Sequence, residues 1–182
     1  MDMIVRPRRL RGSETLRKMV RETRVDRASL IYPMFVMDGK DRVEQIAAMP
    51  GQYRYTVDRM GEALDRLAEA GVSSVMLFGI PAERDAAGSA GTDPEGVLNK
   101  AIADVRAEVG DDLVIMSDVC LDEFTDHGPC GVLDENGVVD NDTTLEICGR
   151  MAILAEGDAQ ERPDLIYLEK LPLFNPDGTV MG

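Results

Sequence analysis

At 182 residues and a formal charge of −14, the chain is long enough for one domain with a sizeable core, and its acidity argues against nucleic acid or an anionic membrane as the main partner. Three cysteines do not make an even disulfide framework, and the sequence holds neither an apolar run of about 18 residues nor a basic start followed by a secretory-type apolar stretch. The expectation is a cytoplasmic protein with no membrane span or signal peptide.

The charge is unevenly placed. Residues 1–27 carry nine Arg or Lys against four acids, so an arm of +5 precedes a body of −19. Residues 1–28 are expected to form an oligomerisation arm and residues 29–182 the folded domain. Within the arm Ser13 is placed to cap a short helix with Leu16, Met19 and Val20 on its apolar stripe.

Leu30 to Val36 reads as a short buried strand, followed by a loop marked by Gly39, Pro50 and Gly51. Thr56 is expected to cap a helix with Met60, Leu64, Leu67 and Ala68 on one face, and Gly71 to end it. Val72 to Ile80 is the second strand, and 82–93 its C-terminal loop. Asp93 and Pro94 look like the N-cap and first position of a helix burying Val97, Leu98, Ala101, Ile102 and Val105, stopped by Gly110. Leu113 to Asp118 is the third strand. Asn136 and Gly137 predict a small hairpin, after which Asp142 or Thr143 caps a helix carrying Leu145, Cys148, Met151, Ala152 and Ala155, with Cys148 as core packing. Leu165 to Leu168 is a candidate fourth strand. Strands alternating with helical patterns at this spacing predict an α/β fold of βα units on a parallel sheet, about half of a (β/α)8 barrel of TIM type.

The stretch from Ile115 to Leu133 gathers two of the three cysteines, the one histidine and a run of acids where a strand gives way to a loop. Cys120 and Cys130 are separated by nine residues, Asp122 and His127 among them. A loop of that size can fold back to bring thiolates, a carboxylate and an imidazole to one cation, and zinc accepts all three ligand types. Spacing alone leaves the cysteines equally readable as small buried hydrophobes. His127 is open as ligand, supporting partner or solvated turn residue, and Glu123 and Asp126 read as a solvated face.

The phrases DVCLD at 118–122, DHGPCG at 126–131 and DENGVVDNDTTLE at 134–146 resemble the metal-loop region of the porphobilinogen synthase family, also called 5-aminolevulinate dehydratase. RPRRLR at 6–11, LIYPMFV at 30–36, MPGQYR at 49–54 and VMLFGIP at 75–81 follow in that family's order, so the resemblance covers residues 6–156. It implies an enzyme of heme biosynthesis that condenses two molecules of 5-aminolevulinate to porphobilinogen with loss of two waters. It also implies a homo-oligomer assembled through the arm. Two of the family's three zinc cysteines are matched by Cys120 and Cys130, while Asp122 stands at the third, a position more like the magnesium-using branch. Asp118 matches an active-site aspartate expected to hold a substrate amine, although by itself it reads as readily as a strand-end carboxylate capping backbone amides. The family's two Schiff-base lysine motifs do not occur. Lys18, Lys40, Lys100 and Lys170 are the only lysines, and Lys170, in YLEKLPL, matches neither motif. The alternative is a catalytically silent half-barrel that binds metal or partners.

Overall fold

Met34, Val36, Val75 and Leu77 alternate with partners that face the other way, and this period-two pattern builds the centre of the sheet. The computed structural model describes residues 8–156. Its five strands are β1 (Tyr32–Met37), β2 (Val43–Gln45), β3 (Tyr53–Thr56), β4 (Ser74–Ile80) and β5 (Val114–Ser117), in the order β2-β3-β1-β4-β5. β3, β1, β4 and β5 run parallel, and only β2 is antiparallel, against β3. The sheet is part of a barrel and is not closed.

The parallel pairs require crossover helices. α2 (Gly61–Ala70) buries Leu64 and Leu67 as expected, with Ala63 buried in place of the expected Ala68, which is exposed, and α3 (Val97–Val109) buries Val97, Leu98, Ala101, Ile102 and Val105, the residues expected from the sequence. They pack on Met34, Val36, Val75 and Leu77 to form one core. Each such fully buried aliphatic side chain contributes about 1.5–3 kcal/mol. Register places Phe35 beside Phe78 and Met76 beside Met116 on the opposite face, where the two phenyl rings stack at 5.3 Å. α1 (Glu14–Val20) begins where expected, with Ser13 Oγ accepting from Leu16 N at 3.1 Å. Of residues 8–31, all but Leu16 are exposed.

Several expectations are corrected. The segment read as a loop after β1 contains β2 and β3. β2 is too short and exposed to show alternation, and β3 is four residues whose buried side chains are Tyr55 and Thr56. Thr56 caps no helix, because its hydroxyl donates to Arg42 O at 3.2 Å and accepts from Arg42 N at 3.0 Å. Asp93 forms a turn instead of a cap, accepting from Glu95 N at 2.9 Å, and α3 starts at Val97. The cap of α4 (Asn141–Glu156) is Asp140, which accepts from Asp142 N and Thr143 N at 3.1 and 3.3 Å. α4 turns Ile147 and Met151 inward and leaves Leu145 exposed, since Met151 packs against Gly91 in the loop after β4. Gly71 ends α2 in a left-handed conformation, φ 72°, that costs glycine little. The expected hairpin is present as a Leu133–Val139 bridge. Leu165 to Leu168 and Lys170 lie outside the described residues. Among the described residues no helix is long and apolar enough to cross a membrane.

Candidate metal centre

Loops leaving the carboxyl ends of parallel strands meet on one rim of the sheet, and here the loop after β5 crosses the loop after β4. The first bond beyond β5 is Asp118 N to Leu77 O at 3.3 Å. Asp118 Oδ1 then accepts from Cys120 N at 3.0 Å, bending the chain away from the sheet. One helical turn follows, with Phe124 N and Thr125 N both donating to Leu121 O. Its inner side chains, Leu121 and Phe124, are fully buried, so Cys120 and Asp122 are held outward as Phe124 anchors the turn.

The loop folds back as its length allows. Sulfur or carboxylate atoms of Cys120, Asp122 and Cys130 all lie within 4.8 Å of one another. Cys120 and Cys130 are joined as a disulfide, with Cα atoms 6.0 Å apart. The sequence led us to expect free thiols here, and the joined pair is the oxidised form of the same arrangement. Disulfide and metal ligation exclude each other, because the metal takes thiolates. Reduced, the residues offer two sulfurs and one carboxylate oxygen, a set that fits tetrahedral zinc with one position left open. Magnesium, which prefers oxygen, fits it poorly.

His127 does not join this group. Its Nε2 lies 3.3 Å from Ala86 O, and its Nδ1 is buried with no hydrogen-bond partner among the described residues, so it is not a solvated turn residue. Glu123 is likewise no solvated acid. Its Oε2 accepts from Gly79 N at 3.0 Å, and burial, followed by the charges of Asp118 and Asp122, pushes its carboxyl up to about 8. Asp126 is exposed, as expected. Cys148 sits half-buried on α4, its Sγ 3.5 Å from Val119 O, and burial and then Asp118 raise its thiol above the ordinary range. That is the packing role expected of it.

The loop after β4 braces the cysteine loop. Asp85 and Thr125 form a parallel bridge, with Asp126 N donating to Asp85 O at 3.2 Å. The Asp85 carboxylate accepts from the Ser89 hydroxyl and from Ala87 N and Ser89 N, bonds that hold it below the usual carboxylate range, the Ser89 hydroxyl foremost. Arg84 Nη1 reaches Asp122 O at 3.5 Å. Sequence reasoning missed Glu123, Gly79 and Asp85. The one available signal was the apolar pair Leu121 and Phe124, whose three-residue spacing marks a helical turn inside an apparent loop.

The parallel sheet, its crossover helices and this rim define an α/β-barrel protein whose candidate site lies at the carboxyl ends of the strands. Comparison with known proteins narrows the class. A family model described as Delta-aminolevulinic acid dehydratase matches residues 4–160. The chain is 57% identical over 149 residues to a delta-aminolevulinic acid dehydratase of Streptomyces coelicolor, covering 81% of this chain and 45% of that protein. It is 45% identical over 163 residues to one of Mycobacterium leprae, covering 88% and 49%. A solved delta-aminolevulinic acid dehydratase (porphobilinogen synthase) from Toxoplasma gondii ME49, in complex with the reaction product porphobilinogen, superposes with a TM-score of 0.77 at 31% identity, covering 84% of this chain and 44% of that one. The chain therefore belongs to the delta-aminolevulinic acid dehydratase family. It spans about half the length of the relatives it matches.

Proposed function

We propose that these residues are the metal-binding and part of the substrate-binding half of a porphobilinogen synthase, the lyase of heme biosynthesis that joins two molecules of 5-aminolevulinate and releases two waters. The observation that carries this reading is the approach of Cys120, Asp122 and Cys130 to within 4.8 Å at the end of β5, beside Asp118. Cys120, Asp122 and Cys130 would hold zinc there, which would supply Lewis-acid chemistry toward the substrate. The chain's own contribution is placement. Asp118 keeps capacity beyond the Oδ1 bond to Cys120 N, since a carboxylate has two acceptor oxygens, and that capacity is assigned to a substrate amine. Leu121 and Phe124 hold the turn rigid from beneath.

The two sulfurs favour zinc over magnesium, and Asp122 makes the preference weaker than three cysteines would. A cytoplasmic location suits this reading because thiols are kept reduced there. The arm, residues 1–28, is assigned to homo-oligomer formation on the strength of its +5 charge against a −19 body and of exposed Met19, Val20 and Val25.

Covalent activation of the substrate keto groups is assigned to residues outside this chain, because none of its four lysines lies in a Schiff-base motif. Lys18 pairs with Glu14 at 3.0 Å and Lys100 with Glu95 at 3.5 Å on the surface. The same observation favours a second reading, a half-barrel that binds metal without turnover. The reduced, zinc-loaded chain is incubated with isotope-labelled 5-aminolevulinate. The expected result is binding that Asp118→Ala weakens, with no porphobilinogen and no borohydride-trapped adduct. Product together with an adduct on Lys170 refutes the assignment of covalent chemistry elsewhere. Absence of any substrate binding favours the silent half-barrel.

A further inference from the structure

We propose that Glu123 is the positioning residue of the cysteine loop, a strap whose carboxylate oxygen, by accepting from Gly79 N, fixes Asp122 within reach of Cys120 and Cys130. The inference depends on the ligand reading of those three residues and goes one step beyond it.

The geometry starts in the β4–β5 ladder. The register ends at Leu77 opposite Ser117, and Leu77 O takes the last bond, from Asp118 N. Residues two apart on a strand present their backbone polar groups to the same neighbour, so Gly79 offers its N–H to the β5 side, where β5 has already turned away. Glu123 Oε2 fills that place at 3.0 Å, a side chain standing in for the missing strand. Such an N–H, left without a partner in a partly buried setting, carries the desolvation cost of an unmade hydrogen bond.

The next residue secures the same contact through packing. A Cβ at Gly79 would lie 3.4 Å from Phe124 Cζ, so the ring of the adjacent anchor rests directly against this glycine. Asp122 precedes Glu123 in the chain and is exposed, with a single bond from Arg84 to its carbonyl as its own tether. Its carboxylate therefore takes its direction from the residue that follows. Glu123 itself is not among the grouped ligand atoms, so its effect on a metal passes through Asp122 and the loop.

The test separates reach from the carboxyl group itself with two conservative substitutions in the full chain, reduced and titrated with zinc against a chromophoric chelator. Glu123→Gln keeps an oxygen at the same reach and exchanges the carboxyl group for an amide. Glu123→Asp keeps a carboxyl group and falls one methylene short of Gly79 N. The strap predicts that Glu123→Gln binds zinc within about threefold of wild type, and that Glu123→Asp binds about 10–100-fold more weakly, as for other losses of support around a metal ligand. Equal affinity for wild type and Glu123→Asp overturns the strap, and so does a Glu123→Gln variant as weak as Glu123→Asp, which points to the carboxyl group itself and not to its reach. Cys120→Ala is the separate control for the ligand reading, which fails if that variant binds zinc like wild type. A second readout needs no metal. The equilibrium constant for forming the Cys120–Cys130 disulfide in a glutathione buffer measures how well the loop is preorganised, and it should fall severalfold in Glu123→Asp and hold in Glu123→Gln. An unchanged constant in Glu123→Asp rejects the strap whatever the metal result.

Discussion

Replacing Gly79 with alanine probes the packing beneath the candidate site, because its new Cβ would lie 2.8 Å from Leu98 Cβ and 3.4 Å from Leu98 Cα and Phe124 Cζ. The nearest of these is not the far end of a flexible side chain. Leu98 Cβ is fixed by the backbone of α3, so the clash is relieved only if α3 moves away from β4. Leu98 and Phe124 are both buried, at 3% and 0% exposure, and the displacement therefore opens the core. Overpacking of this kind costs about 1–3 kcal/mol, against about 0.8 kcal/mol gained by burying one methyl, so the net effect is destabilising. Urea unfolding of the reduced chain should show a lower midpoint with an unchanged slope. A double-mutant cycle sharpens the test. Leu98→Ala retains the clashing Cβ and should not rescue Gly79→Ala, whereas Leu98→Gly removes that atom and should give a favourable coupling despite glycine's cost in a helix, about 1 kcal/mol. A Gly79→Ala protein as stable as wild type, or one rescued by Leu98→Ala, refutes the argument.

Titration of Glu123 sets the pH dependence. Its carboxyl is raised from 4.5 to about 8, by burial first, so the folded state keeps a proton that the unfolded chain releases. Stability should then fall as pH rises from the ordinary carboxyl range to about 8 and level off above it, and Glu123→Gln should flatten that slope in unfolding midpoints measured across pH. Asp122→Cys should tighten zinc binding in the chelator competition, since it replaces a hard oxygen with a third soft ligand; weaker binding would mean that the carboxylate is better placed than a thiolate could be. Removing residues 1–12 should lower the oligomeric state seen in sedimentation at micromolar concentration, and a wild-type chain that is already a monodisperse monomer would dismiss the arm's role.

Periodicity made much of this fold legible. The faces of α2 and α3 are long enough for their 3.6-residue pattern to name every buried residue of α3 in advance, and Gly71 and Gly110 marked helix ends by conformations that suit glycine. β2 and β3 escaped because three or four residues cannot display a period, and their pairing depends on partners distant in sequence. The caps shifted for a local reason. Asp93, Asp140 and Thr56 each had competing backbone partners, and side-chain chemistry alone does not say which one a residue takes. At the candidate site the three proposed ligands were readable from residue type and from a resemblance covering residues 6–156. Glu123 was not, because its partner is a backbone N–H forty-four residues away, exposed only by where β5 happens to end.

The most direct measurement is a zinc competition titration of the reduced chain at neutral pH, run beside Cys120→Ala, Cys130→Ala and Cys148→Ala. The metal-centre account predicts one zinc per wild-type chain, proton release on binding, most of the affinity lost in either loop variant, and no change in Cys148→Ala, whose thiol is engaged with Val119 O beneath the loop. Wild type and the two loop variants binding zinc indistinguishably, or Cys148→Ala losing as much affinity as they do, would contradict it.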